Sequence, residues 1–485
     1  MGARLLPYAV ATLYLVFLFP SPEFPGYNAD DGSWFVTLGW NLAEHGRYTS
    51  DTLPFASYGH HAAWPPLFPI LLAGVIKLAG LNWVVLKLVM ACCGLGALAL
   101  LQRLWKEEGI GAWAVLLTAL SPAFFLYSHH TMTEVPYIAA VAAALLGLSR
   151  AEGGRTAFLA GLLAVMAFFT RGYAVIFLPA GLLYFLLRPW PMRRRLVACM
   201  AYGVPMVIAI LAWKGYTGHI LATQPLDWIT TRFGNGAGVL SDLLRPPMEY
   251  VQRLYWHELR YPAHFLLPIL PLEWVLRNDL SLALSLPLLA VTGFGWLVLL
   301  RRRRGAVECW LPLALAFMMV PRSGAARYWL PFLPFLFYYL LHGAQEIRQR
   351  WRQLEWATPV LPLALLIMVC GALTWHLLDP DRMRFITTED KNYRDIALWA
   401  GRHLPADVIV HAPFAHRFLA TSGLYAFPTD RPTRHSDPQG LPLVTSPRYQ
   451  VCLNETSLPQ RTSCGYGGML EQRIGSVALY RLMPN

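Results

Sequence analysis

The stretch GYNADDGSWFVTLGWNLAEHGRY, residues 26–48, follows an apolar run from Leu5 to Pro20. That run is apolar enough to read as a membrane-crossing helix. Two adjacent carboxylates, Asp30 and Asp31, therefore fall at a membrane edge. Behind them comes a short amphipathic segment with Trp34, Phe35, Leu38, Trp40 and Leu42. Arg4 precedes the apolar run, as in a signal peptide. The residues after it, FPSPEFPG, are proline-rich and lack a small-x-small cleavage site, so the run reads as a retained signal anchor. On either reading the acid pair ends up outside the cytoplasm.

Working outward, the whole chain has the same character. Its 485 residues are 56% hydrophobic and only 14% charged, with a mean hydropathy of +0.40. A soluble domain carries roughly a quarter charged residues. Long apolar runs recur from Leu5 to Leu378, too continuous for the alternating strands of a membrane barrel. The expected fold class is an all-α polytopic membrane protein. The net charge of +12 does not mark a nucleic-acid binder. Its arginines cluster between apolar runs, at Arg193–Arg195, at Arg301–Arg304, and at Arg348, Arg350 and Arg352, as in cytoplasmic loops.

Those clusters set the topology. Arg103 and Lys106 belong inside, so an odd number of spans must connect them to the outer acid pair. Of the two intervening apolar segments, WPPLFPILLAGVIKLAG (64–80) is the weaker spanner. It is short, starts with Pro65, Pro66 and Pro69, and carries Lys77, so it reads as an interfacial or re-entrant helix. The rest then gives about 11 spans, over 5–20, 82–102, 111–128, 135–149, 156–170, 172–187, 196–213, 281–300, 306–320, 328–343 and 357–378. A transmembrane domain occupies 1–378, with outer loops at 22–81 and 214–280. Residues 379–485 form a small extracytoplasmic α/β domain, with helices expected at 392–403 and 414–421 and strands at 407–411 and 476–482. Cys452 and Cys464 in this tail are expected to pair by a disulfide, and Asn454 begins a weak glycosylation match, NET. The other five cysteines lie in apolar runs and read as fillers.

The outer face thereby collects Asp30, Asp31, His60, His61, His129, His130, Glu134, Arg171, Arg322 and Arg327. The three arginines stand on the side where arginine is rare, each at a short turn at membrane depth, and an arginine held there has a partner. A structural carboxylate is one such partner. An anionic ligand such as a lipid phosphate, matched by the guanidinium fork, is the other. A carboxylate in this cavity can act as general base toward an incoming hydroxyl, and arginines can stabilise a phosphate leaving group. Plainer roles stand beside these. The acid pair fits a helix N-cap near Ser33, and Glu134 fits the first turn of a helix that carries Pro136. Neither histidine doublet chelates as a pair, because adjacent helical residues diverge. One histidine, His61, together with the acids leaves room for a divalent cation. No cofactor is otherwise called for.

Several of these stretches resemble a known family. ADDGSWFVTLGWNLAEHGRY is similar to the acid pair and juxtamembrane helix of C-type-fold (GT-C) glycosyltransferases that use polyprenyl-phosphate sugars, near the protein O-mannosyltransferases and the lipid A aminoarabinose transferases. WPPLFPILLAGVIKLAG, YSHHTMTEVPY (127–137), TRGYAVIFLP (170–179) and ARYWLPFLPFL (326–336) resemble later family stretches, in order. The resemblance implies an inverting transfer from a polyprenyl-phosphate sugar to a lipid, glycan or protein acceptor at the outer face of a bacterial inner membrane. Asp30 would be the base, with Asp31 beside it. Glu134 would support the acceptor or a metal. Arg171 and Arg327, with Arg322 and His129, would serve the donor phosphate, and 214–280 would cover the cavity. The chain also departs from the family. Asp31 replaces a frequent Glu, Ser33 an arginine, Trp64 a lysine and His129 an arginine, so the donor-phosphate contacts are not a simple copy. A lipid-linked-sugar transporter or flippase, a ligase using a diphosphate donor, and a non-catalytic scaffold are the competing classes.

Overall fold

The structure is a computed structural model. It describes residues 2–18, 31–51, 59–105, 109–224, 226, 230, 248–249, 266, 279–318, 326–350, 357–378, 388–405, 408–412, 415–422, 424–428, 449–452, 468–474 and 477–482. Asp30, Arg322, Asn454 and Cys464 lie outside these residues, as does the side chain of Asp31.

Where the structure describes them, the predicted spans fall mostly on helix, but 111–128 is split between Gly109–Leu120 and Pro122–Tyr127, and 172–187 and 328–343 begin in 3-10 turns. The helices that build the site are α1 (Gly2–Val16), α2 (Asp31–His45), α3 (Leu67–Ala79), α4 (Trp83–Leu104), α5 (Gly109–Leu120), α6 (Pro122–Tyr127), α7 (Glu134–Ser149), α8 (Gly154–Thr170), α9 (Phe177–Leu187) and α10 (Met192–Thr223). The later helices are Asp279–Arg303, Ala306–Met318, Leu333–Arg350 and Ala357–Leu378. Among the described residues, three helices are long and apolar enough to cross a membrane by length and composition: Trp83–Leu104, Met192–Thr223 and Ser285–Arg303. Several shorter apolar helices accompany them. Helices α8 and α10 also expose Leu162, Met166, Leu196, Met200, Ile208 and Leu211. Water would penalise such a face and lipid does not.

Sequence chemistry explains the local starts and stops. Asn82 caps α4, its Oδ1 accepting from the Val84 and Val85 N–H groups at 3.0 and 3.3 Å. Helix α3 is 13 residues long, about 20 Å at 1.5 Å per residue, well short of a bilayer core. Helix α10 runs ten residues past the predicted span, to Thr223. The core of the bundle is α7, which packs on α4 and α8, while α8 packs in turn on α10. The helices Asp279–Arg303 and Leu333–Arg350 cross where Gly295 and Gly343 meet, too tightly for any side chain. Such small-residue crossings suit membrane interiors.

The expectation of an amphipathic α2 is corrected. Residues 32–39 are buried without interruption, because α2 is covered on more than one side. It packs on α3, where a Cβ at Gly39 would come within 2.8 Å of Leu72 Cβ. It also packs on a helix of the tail, Ala415–Ser422. The tail holds the helix Thr388–His403 and a five-stranded sheet. Its strands are β1 (Ile409–Ala412), β2 (Tyr425–Pro428), β3 (Tyr449–Cys452), β4 (Gly468–Ile474) and β5 (Val477–Leu482), in the order β2-β1-β3-β5-β4. The β2-β1-β3 pairs are parallel and the rest antiparallel. Three of these strands, β2, β3 and β4, had no counterpart in the sequence reading.

Candidate active site

Four of the quoted motifs converge. Glu134 opens α7 and is almost wholly buried, with 1% of its side chain exposed. Arg171 ends α8 in extended conformation (φ −153, ψ 123), just before a 3-10 turn, Gly172–Ile176. Its Nη1 lies 3.0 Å from Glu134 Oε1. Arg327 stands in a second 3-10 turn, Ala326–Phe332, with its Nε 3.7 Å from the same oxygen. The proline pair of the 64–80 segment reaches this turn as well, since a Cβ at Gly172 would touch Pro65 Cγ at 3.9 Å.

The second Glu134 oxygen, Oε2, is buried and has no hydrogen-bond partner among the described residues. A buried carboxylate oxygen left so is costly unless a ligand or neighbour supplies a donor. Aromatic faces spread the positive charge nearby. Tyr328 lies 4.9 Å from the Arg171 guanidinium and 5.3 Å from that of Arg327, and Tyr173 lies 5.4 Å from Arg171. Beside them is a small, partly open cleft whose lining includes Tyr137, Arg171, Tyr173, Tyr328 and Phe332.

The N-terminus of α2 abuts the loop that leads into Glu134. A Cβ at Gly32 would lie 3.4 Å from Met132 Sδ and 3.5 Å from Thr131 Oγ1. The chain that carries the acid pair therefore meets the Glu134 motif. Helix α2 is held in register by Asn41, whose Nδ2 donates to the carbonyls of Thr49 and Asp51, both at 2.8 Å. Trp64 stacks on Trp34, with centroids 5.6 Å apart and planes at 20°, and so joins the proline pair to α2.

The histidines are placed differently. His129 is buried with Nδ1 2.8 Å from the Phe125 carbonyl and Nε2 2.8 Å from the Tyr14 carbonyl, and it braces α1 against α6. His61 is buried, and its Nε2 accepts from the Trp64 N–H at 3.0 Å. Its backbone carbonyl accepts from Tyr216 Oη at 3.1 Å. Thr230 Oγ1 accepts from the Ala62 N–H at 2.7 Å, so part of the 214–280 stretch lies against this turn. Among the described residues, no three His, Cys, Asp or Glu side chains gather as a metal centre.

Sequence reasoning missed Asn41 and Lys87. Lys87 stands on α4 with 3% of its surface exposed. A lysine in an otherwise apolar helix is itself a signal of function.

Residues 63–214 match the family model described as dolichyl-phosphate-mannose-protein mannosyltransferase. That range contains Glu134 and Arg171; Asp30, Asp31, Arg322 and Arg327 lie outside it. No curated protein sequence matches the chain. Among solved structures, ArnT from Cupriavidus metallidurans bound to undecaprenyl phosphate is similar at 13% identity and a TM-score of 0.59, over 99% of this chain and 98% of ArnT. Its apo state gives the same identity and score, over 97% of ArnT. The Archaeoglobus fulgidus oligosaccharyltransferase in complex with Zn and sulfate is similar at 14% identity and a TM-score of 0.51, over 87% of this chain and 62% of the oligosaccharyltransferase. The fold is thus ArnT-like, and the resemblance to C-type-fold glycosyltransferases stands.

Proposed function

We propose that this chain is an inverting glycosyltransferase of a bacterial inner membrane. It moves a sugar from a polyprenyl-phosphate donor to a hydroxyl or phosphate of a lipid, glycan or protein acceptor on the extracytoplasmic face. The proposal includes about 11 spans with the N-terminus inside and the tail 379–485 outside. The observation that carries it is the buried Arg171–Glu134–Arg327 cluster, set against the loop on which α2 begins.

The chemistry follows from the groups present. The acceptor oxygen attacks the anomeric carbon from the face opposite the phosphate, while the bond from that carbon to the phosphate oxygen breaks. A hydroxyl acceptor gives its proton to the Asp30 carboxylate; a phosphate acceptor has none to give. Negative charge grows on the leaving phosphate, and Arg171 and Arg327, with Arg322, stabilise it. Glu134 holds the two arginines in place, and its Oε2 is open to a donor such as an acceptor hydroxyl. The undecaprenyl phosphate of the ArnT complex supports this class of donor. The dolichol-phosphate of the archaeal oligosaccharyltransferase AglB supports it too.

The test is transfer by reconstituted protein from a panel of polyprenyl-phosphate sugars to envelope acceptors. Asp30→Asn is compared with wild type at equal folded amounts. Loss of the base is expected to cost roughly 10²–10⁴ in rate. Unchanged transfer in the variant removes Asp30 from the mechanism. Donor binding without transfer from any sugar favours a lipid-linked-sugar transporter.

A further inference from the structure

At the far end of α8 from Arg171, the exposed side of the bundle carries an apolar groove. It runs between α8 and α10 and is lined by Phe158, Leu196, Val197, Met200, Ala201 and Val204. The two helices pack side by side and start at the same end. A Cβ at Gly154 would lie 3.1 Å from Val197 Cγ1, and one at Gly161 would lie 2.8 Å from Pro205 Cγ. Phe158, Leu196, Val197, Met200 and Val204 are all exposed. Both rows of the groove end in a cation. On α10, Arg193 precedes Leu196, Val197, Met200 and Val204 by three, four, seven and eleven residues, the spacing of one helix face. On α8, Arg155 precedes Phe158 by three residues, again on one face. Helical side chains lean toward the N-terminus, so both guanidinium groups stand at the end of the groove. Both arginines are exposed.

The turn between α9 and α10 fixes the rest of the basic cluster. The Arg194 guanidinium lies 4.4 Å over the Trp190 ring, and its Nη2 donates to the Glu152 carbonyl. Arg195 Nε donates to the Trp190 carbonyl at 2.7 Å, and its Nη1 to the Leu186 carbonyl at 3.0 Å. Arg188 lies 5.3 Å from the same ring. These three arginines brace the turn. Arg155 and Arg193 do not share that task. Residues 149–213 contain a single acid, Glu152. Among the described residues, no ion pair includes Glu152, Arg155 or Arg193. Tryptophan at a helix end marks headgroup depth in a bilayer. Cations at that depth, at the mouth of an apolar groove between helices, complement the phosphate and the acyl chain of one amphiphile.

We propose that this groove binds an anionic phospholipid of the bilayer. One acyl chain lies along Phe158, Val197, Ala201 and Val204, and the phosphate sits between Arg155 and Arg193. Arg171 follows Arg155 by 16 residues, about 24 Å along α8 at 1.5 Å per residue. The site is therefore separate from the Glu134 cluster, and it does not depend on the transferase reading.

Native mass spectrometry of the full chain in detergent tests it, with phosphatidylglycerol and phosphatidylcholine of the same acyl chains as probes. Wild type should hold phosphatidylglycerol roughly 10- to 30-fold more tightly than phosphatidylcholine, the scale of two arginines at an anionic headgroup. The double variant Arg155→Gln, Arg193→Gln should lose that preference and bind phosphatidylcholine as before. Both positions are exposed, so folding should survive, and an unchanged thermal unfolding midpoint checks it. Ala201→Phe fills the groove and should weaken the binding of both lipids. Arg301→Gln, Arg304→Gln, in a different basic cluster, should leave the preference intact. Wild type that binds phosphatidylglycerol no better than phosphatidylcholine overturns the inference. So does a preference that survives in the Arg155, Arg193 variant. A preference lost equally in the Arg301, Arg304 variant would mean diffuse charge and no site. A lipid-free dimer that Ala201→Phe splits would give the groove to a second copy of this chain, and would overturn the inference as well.

Discussion

Arg171 Nη1 lies 3.0 Å from Glu134 Oε1, and Arg327 Nε approaches the same oxygen at 3.7 Å. One buried carboxylate therefore anchors cations from two distant turns. Removing it takes a buried negative charge from beside both guanidinium groups. Glu134→Met is expected to cost about 3–5 kcal/mol, the range for breaking a buried pair. The double variant Glu134→Met, Arg171→Met should recover part of that loss. Thermal and denaturant unfolding in detergent would measure it. Additive losses in the double variant would mean that the two side chains are not coupled.

Arg327 is also expected to matter for the donor. Arg327→Lys keeps a charge but loses the planar fork and the face contact with Tyr328, 5.3 Å away. The donor KM should rise by roughly tenfold while the acceptor KM stays put, since one charge-assisted bond is at stake. Steady-state kinetics with each substrate varied in turn separates the two.

Gly39 sets how closely α2 lies on α3. A Cβ there would sit 2.8 Å from Leu72 Cβ, closer than atoms tolerate. Gly39→Val should push α2 away and carry the acid pair with it. A displacement of about 1 Å at reacting groups can cost roughly 100-fold in rate, so kcat should fall by about that factor with the helical content retained. Wild-type kcat in this variant would show that α2 need not be held so tightly.

The sidedness has a direct check. His60 is exposed next to the proposed cavity, and Arg194 is exposed in the proposed inner cluster. In a background with the native cysteines replaced, His60→Cys should react with an impermeant maleimide from outside intact cells. Arg194→Cys should react only once the membrane is opened. The reverse pattern would invert the topology.

Much of this arrangement was legible because apolar runs and arginine clusters are collective signals. No single residue decides them, and among the described residues the predicted spans fall mostly on helix. The convergence of Glu134, Arg171 and Arg327 was legible only as a shared side; nothing in their spacing says that two of them meet on one oxygen. The amphipathic reading of α2 failed because burial there comes from a partner over 370 residues away, the Ala415–Ser422 helix. Lys87 was missed because one lysine near the start of an apolar run reads as an anchor until its neighbours are known. Strands β2 and β3 are only four residues each, YAFP and YQVC, too short to show a period. Strand β4 alternates around Glu471 and Arg473, residues that equally suit a loop.

The contact between α2 and the tail has a consequence for how this molecule can be rebuilt. The face of α2 that would otherwise be free is clothed by the Ala415–Ser422 helix, so the C-terminal module doubles as a wall of the helical unit. Trimming the chain at Leu378 would strip that wall and leave a nonpolar helix facing water beside the acid pair. The tail is therefore not a detachable ornament. Grafting another C-terminal module onto these helices would require a replacement surface shaped to α2, and the acid pair would inherit whatever fit or misfit that surface brings.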